Sequence, residues 1–175
     1  MEKLSIVTWP AEVLETRAAE VSVFDDEFKQ LCQAMHLTLD KSDNAVGLAA
    51  NQVNVLKRVL VMHVPLFLGN EEYPAEERQW WHDKRFTLVN PRITASSGKF
   101  RVMEGCLSFP KIYDYVPRAK FVTVEAQDEE GKPISFVAND FFAVLVQHEI
   151  DHLDGIVFLT RMSRLKAVFH RKKLR

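Results

Sequence analysis

Residues 140–155, DFFAVLVQHEIDHLDG, constrain this chain more than any other stretch. The first half, Phe141 to Val146, is apolar on every side of a helix, a pattern that belongs at the centre of a domain rather than on its surface. The second half places Gln147, His148, Glu149, Asp151 and His152 on the same rod. Asn139 or Asp140 is a suitable cap, and Gly155 stops the run, so the spacing predicts a helix over 140–153. An i, i+4 histidine pair shares one face, and both imidazoles can reach one cation at about 2.0–2.1 Å. Glu149 lies one step round, close enough to handle a proton without ligating. This is the His-Glu-x-x-His arrangement of metal hydrolases.

Two histidines leave the ligand set incomplete. A third histidine further along the same segment would have to stand at 158, which is Phe158, and from Gly155 to Arg175 there is no Asp or Glu. His170 is the one ordinary ligand downstream, and it sits in a basic tail. The missing ligand therefore comes from upstream, where MEGCLSFP offers Cys106 beside a flexible Gly105. A thiolate with two imidazoles is an accepted set for a metal site that keeps one position open. The other cysteine, Cys32, lies on an apolar helical stripe and reads as a small buried hydrophobe.

The rest of the chain limits what such a site can belong to. At 175 residues with 47% apolar and 27% charged side chains, the chain suits one soluble catalytic domain over 1–175. A net charge of −1 argues against binding free nucleic acid. No apolar run approaches a membrane span, the first residues lack an export signal, and two cysteines fit a reducing compartment, so a cytoplasmic location is expected. The stripe Phe28, Leu31, Cys32, Met35, Leu39 predicts a helix within 25–42. Strand-like runs follow at 58–64, 86–89, 120–126 and 134–138, with a turn at 128–131. Residues 163–173 form a last, weaker helix. Strands and helices do not alternate regularly, which favours an α+β fold: one domain of mostly antiparallel sheets packed around a central helix, with a C-terminal helix. A polar stretch over 65–85 reads as a surface insertion, with Trp80 and Trp81 as a local hydrophobic anchor.

Three motifs now stand in order: AVGLAANQ at 45–52, EGCLS at 104–108 and QHEIDHLDG at 147–155. Together with Asn90-Pro91 and VPRA at 116–119, they resemble the peptide deformylase family over most of the chain. One departure is Ala45, where the family loop has glycine; this is harmless at negative φ and strained at positive φ. The resemblance implies that Cys106, His148 and His152 hold a divalent ion, with Fe(2+) as the physiological metal. Zn(2+), Ni(2+) or Co(2+) would suit the same donors in purified protein. It further implies that Glu149 is the acid/base and that Gln52 and the Leu107 N–H face the developing oxyanion. The substrate would be an N-formyl-methionyl peptide, with Val46, Val144 and Leu145 around methionine and the backbone at Gly47 and Gly105 pairing with the peptide as an added strand.

Some residues keep two readings. Glu104 and Arg118 are either a pair bracing the metal loop or an exposed, uncoupled pair. Asp151 either supports the ligands or faces water. The basic tail over 161–175 is either a solvated helix face or a dock for the ribosome. His36, His63 and His82 read as ordinary polar residues. Two rival functions stand beside the deformylase expectation, a small endopeptidase and an inert binding module. Against the second, every part needed for turnover is present.

Overall fold

A computed structural model of the chain describes residues 2–64, 67–68, 71–72 and 81–174. Most of the expected insertion, including Trp80, falls outside the described residues.

The fold is α+β, with three α-helices and antiparallel strand pairing among the described residues. Helix α1 spans Asp26–Asp40, and Asp25 caps it by accepting a 2.8 Å bond from the Phe28 N–H. Its buried stripe of Phe28, Cys32, Met35 and Leu39 is the one expected from the sequence. The main sheet has the order β1-β2-β5-β8-β9, from Gly47–Ala49, Val59–His63, Arg85–Ser97, Phe121–Gln127 and Pro133–Asn139. Along β2 the alternation divides two cores. Val59 and Val61 pack with the α1 stripe, while Leu60 and Met62 pack with Phe142, Val146 and Ile150 of helix α2. Helix α2, Asp140–Leu153, is buried along nearly its whole length. Two short strands, β3 (Phe67–Leu68) and β4 (Glu71–Glu72), pair with each other.

Strands β6 (Phe100–Cys106) and β7 (Phe109–Arg118) form a separate hairpin. A third cluster joins this hairpin to the rest, with Phe109, Ile112 and Val116 against Leu14, Val157 and Phe158. Gly155, at φ +72°, ends the α2 turn, and a Cβ there would lie 2.9 Å from the Glu15 carbonyl oxygen. The glycine is thus demanded by conformation and by space. Helix α3, Arg164–Lys173, follows. It is tied down where His170 Nε2 meets Asp114 at 2.9 Å and Arg171 donates to Glu15 at 2.6 Å. No described helix is long and apolar enough to cross a membrane.

Several expectations need correction. Strand β5, Arg85–Ser97, runs far beyond 86–89, because the chain continues through Asn90-Pro91 instead of ending there. Asn90 adopts φ +51°, the pairing with β8 shifts register there, and the Asn90 side chain accepts from the Val21 N–H at 2.8 Å. Asn139 precedes α2 without making a side-chain cap. Trp81 is 4% exposed and stacks on Phe142 with centroids 5.1 Å apart, so this tryptophan does anchor the core.

Candidate metal centre

His148 and His152 stand one turn apart on α2, their rings 5.0 Å apart between centroids. The β6–β7 bend brings Cys106 to them, and one ligand atom from each of the three lies within 4.8 Å of the others. Cys106 Sγ is 3.2 Å from His152 Nε2. An ion bound at 2.0–2.3 Å in tetrahedral geometry needs donor atoms roughly 3.3–3.7 Å apart, so this set fits one divalent cation.

A chain of ion pairs stands behind His148. Its Nδ1 meets Glu104 Oε2 at 2.8 Å, which turns Nε2 towards the thiol. Arg118 donates to both Glu104 oxygens at 2.6 and 2.9 Å and to Asp151 Oδ2 at 2.5 Å. Asp151 in turn accepts from Arg161, through Nε at 3.0 Å and through a second guanidinium nitrogen. Glu104, Arg118 and Asp151 are all nearly inaccessible. Both open readings therefore close: the Glu104–Arg118 pair is buried, and Asp151 is part of the ligands' support.

The charges reflect this packing. Burial raises the Glu104 carboxyl, but hydrogen bonds from Arg118 and His148 outweigh it and hold the pKa at about 2. Burial pulls His148 down, while the hydrogen bonds to Cys106 and Glu104 lift it well above 6.5. For His152, burial and then the charges of His148 and Arg118 push the pKa well below 6.5 and keep the ring neutral. Glu149 is pushed up to about 7, first by burial, and its Oε2 has no hydrogen-bond partner among the described residues. A carboxyl poised there can both accept and return a proton near neutral pH.

Gln52 sits in the 3-10 turn Ala50–Val53, buried to within 2% of full cover. Its Oε1 accepts from the Ala49 N–H at 2.9 Å, which leaves the amide nitrogen facing Ser108 Oγ at 3.3 Å and Cys106 Sγ at 3.5 Å. The donor end is thus aimed at the centre. Val46, Gly47, Gly105, Leu107, Val144 and Leu145 all line one cleft of about 460 Å³ that includes Gln52, Cys106, His148 and Glu149. Cys32 is fully buried in the α1 core, away from this cleft. His36 bonds Thr87 at 2.9 Å and His63 lies near Asp40 and Asp83, so neither joins the cluster.

The sequence reading missed Phe141 and Tyr113 in the cleft and Arg161 behind it. Phe141 had a signal, because it precedes Val144, Leu145 and His148 at helical spacing on the same face. Tyr113 is visible only in three dimensions: it faces Gly105 across the hairpin, where a Cβ would lie 2.5 Å from its ring.

The profile of the family described as polypeptide deformylase matches residues 3–168. Peptide deformylase 1 of Bacillus subtilis is 43% identical over 91% of this chain and 89% of its own length. The peptide deformylase of Chromobacterium violaceum is 39% identical over the whole chain and 96% of its own length. Among solved structures, the peptide deformylase of Ehrlichia chaffeensis in complex with actinonin superposes with a TM-score of 0.87 at 36% identity, covering 99% of this chain and 96% of that one.

Proposed function

This chain belongs to the peptide deformylase family, metal-dependent enzymes that hydrolyse the N-formyl group from nascent peptides, and from that premise we propose how its residues divide the work. Cys106, His148 and His152 hold the divalent ion. When bound, that ion supplies Lewis acidity and lowers the pKa of a neighbouring water from about 15.7 towards neutrality, moderated by charge from the thiolate. Glu149 takes the proton of the water that attacks the formyl carbon. Gln52 Nε2 and the Leu107 N–H donate to the oxygen that becomes negative on that carbon. As the C–N bond breaks, Glu149 returns the proton to the departing nitrogen, leaving formate and a free α-amine.

Val46, Val144 and Leu145 receive the methionine side chain, and the crowded centre admits the smallest acyl group. Strand β1 is an edge of the main sheet, so Val46-Gly47 on one side and Gly105 on the other offer backbone to an extended peptide. Fe(2+) is the resident ion in this reading, and a thiolate–iron centre is oxygen-sensitive. The two free cysteines suit a reducing cytoplasm. Helix α3 carries Arg164, Lys166, Arg171, Lys172 and Lys173 beside exposed Leu165 and Phe169, a surface able to dock on the ribosome. The catalytic domain covers 1–175, with 65–85 as a surface insertion and 161–175 as the basic tail.

The observation that carries this reading is the convergence of three ligand atoms within 4.8 Å at a cleft shared with Glu149 and Gln52. The test is formate release from a formyl-Met peptide by anaerobically prepared, iron-loaded protein. Glu149→Ala should lower the rate by roughly 10²–10⁴. Cys106→Ser should abolish both iron retention and turnover. Undiminished formate release by both variants would overturn the assignment.

A further inference from the structure

A second cavity, of about 610 Å³, does not open on the metal ligands. It shares no lining residue with the substrate cleft. Its floor is Arg118, Gln147 and Asp151, its rim Lys99 and Arg161, and one wall is apolar, formed by Ile93, Pro117 and Val122. This size and mixture suit a small organic ligand.

The charges say which kind. Arg118 and Arg161 are paired with Glu104 and Asp151, and Lys99 stands beyond these pairs as a further cation. Arg118 turns all three of its nitrogens to the two carboxylates. Arg161 spends Nε and one terminal nitrogen on Asp151, and its other terminal nitrogen enters no hydrogen bond among the described residues. Its side chain is 43% exposed. Lys99, on the turn between β5 and β6, is exposed and enters no ion pair among the described residues. Two cationic donors thus flank an apolar wall. A single carboxylate can accept from both donors at once, whereas an uncharged ligand would leave their charge uncompensated.

We propose that this cavity is a second binding site, which takes a small monocarboxylate with an apolar tail. The carboxylate bridges Lys99 and the free end of Arg161, and the tail lies along Ile93, Pro117 and Val122. Arg161 also clamps Asp151, so the ligand shares a guanidinium with the ion pairs that reach His148.

Hexanoate is a suitable probe, titrated into zinc-loaded, ¹⁵N-labelled protein while amide shifts are followed. Saturable shifts are expected at Gly98 and Ala119 in the cavity. Acetate, which lacks the tail, and hexanol, which lacks the charge, should each bind at least about tenfold more weakly. Lys99→Glu turns an attraction into a repulsion at an exposed turn where folding is not at stake, and should weaken hexanoate roughly tenfold or more. Shifts confined to Gly47 and Gly105 would put the carboxylate at the metal centre and overturn the proposal. So would equal binding of hexanol, or unchanged affinity in Lys99→Glu.

Discussion

Gly47 matters for what it lacks. A Cβ there would stand 2.5 Å from Glu149 Oε1 and 2.8 Å from Leu145 Cδ1, so the side chain is excluded by space and not by backbone conformation. The neighbouring departure from the family motif is benign for the opposite reason. The left-handed residue of this loop is Asn44, at φ +57°, and Ala45 carries no positive φ. Gly47→Ala should therefore move the Glu149 carboxylate while leaving the fold intact. We expect turnover to fall roughly 10²-fold with a nearly unchanged urea midpoint. Gln52→Ala removes a donor already aimed by its bond to Ala49, and should cost roughly 10²–10³ in kcat, read from formate release. These residues were legible in the sequence because their chemistry forces a spacing on one helix or places them in a short motif. Arg161 was not legible, since nothing local marks an arginine whose carboxylate partner is a ligand-bearing helix away.

The β6–β7 hairpin shows why strands escape pattern reading. Its inward row includes Glu104, Asp114 and Arg118 among apolar residues, while Met103, Tyr113 and Tyr115 point out and are half or more exposed. The alternation is real but chemically inverted: Glu104 pairs with Arg118 within the hairpin, and Asp114 with Lys166 and His170 of α3. Helix α1 and strand β2, whose buried positions are almost all apolar, were found within a residue or two. The buried pairs also set the hairpin's energetics. Arg118→Met would leave Glu104 and Asp151 desolvated without their shared cation, and should destabilise the fold by about 3–5 kcal/mol in urea unfolding. Arg118→Lys should recover only part of this, because an ammonium cannot fork between both Glu104 oxygens and Asp151.

Seen entire, the protein is a sheet between two helices with a hairpin fastened to one side, and its response to conditions follows from what each part buries. Cys32 has its pKa lifted from 9.0 to about 12, chiefly by burial and then by Glu129. The unfolded chain ionises this thiol at ordinary alkaline pH while the folded chain resists. Its contribution to stability is therefore complete below about pH 9 and is lost as pH climbs towards 12. Cys32→Ala should make the alkaline slope of unfolding free energy shallower.

The hairpin's detachment from the main sheet has a consequence of its own. Cys106 and His152 are 46 residues apart in sequence, so an ion shared between them rivets the hairpin to the helix rod and closes a large loop. Stripping the ion with a chelator should lower the melting temperature, because a ligand that binds only the folded form is lost. Proteases should then nick the chain first between β6 and β7. Susceptibility to cutting at that bend would become a gauge of how much of a preparation carries its cation.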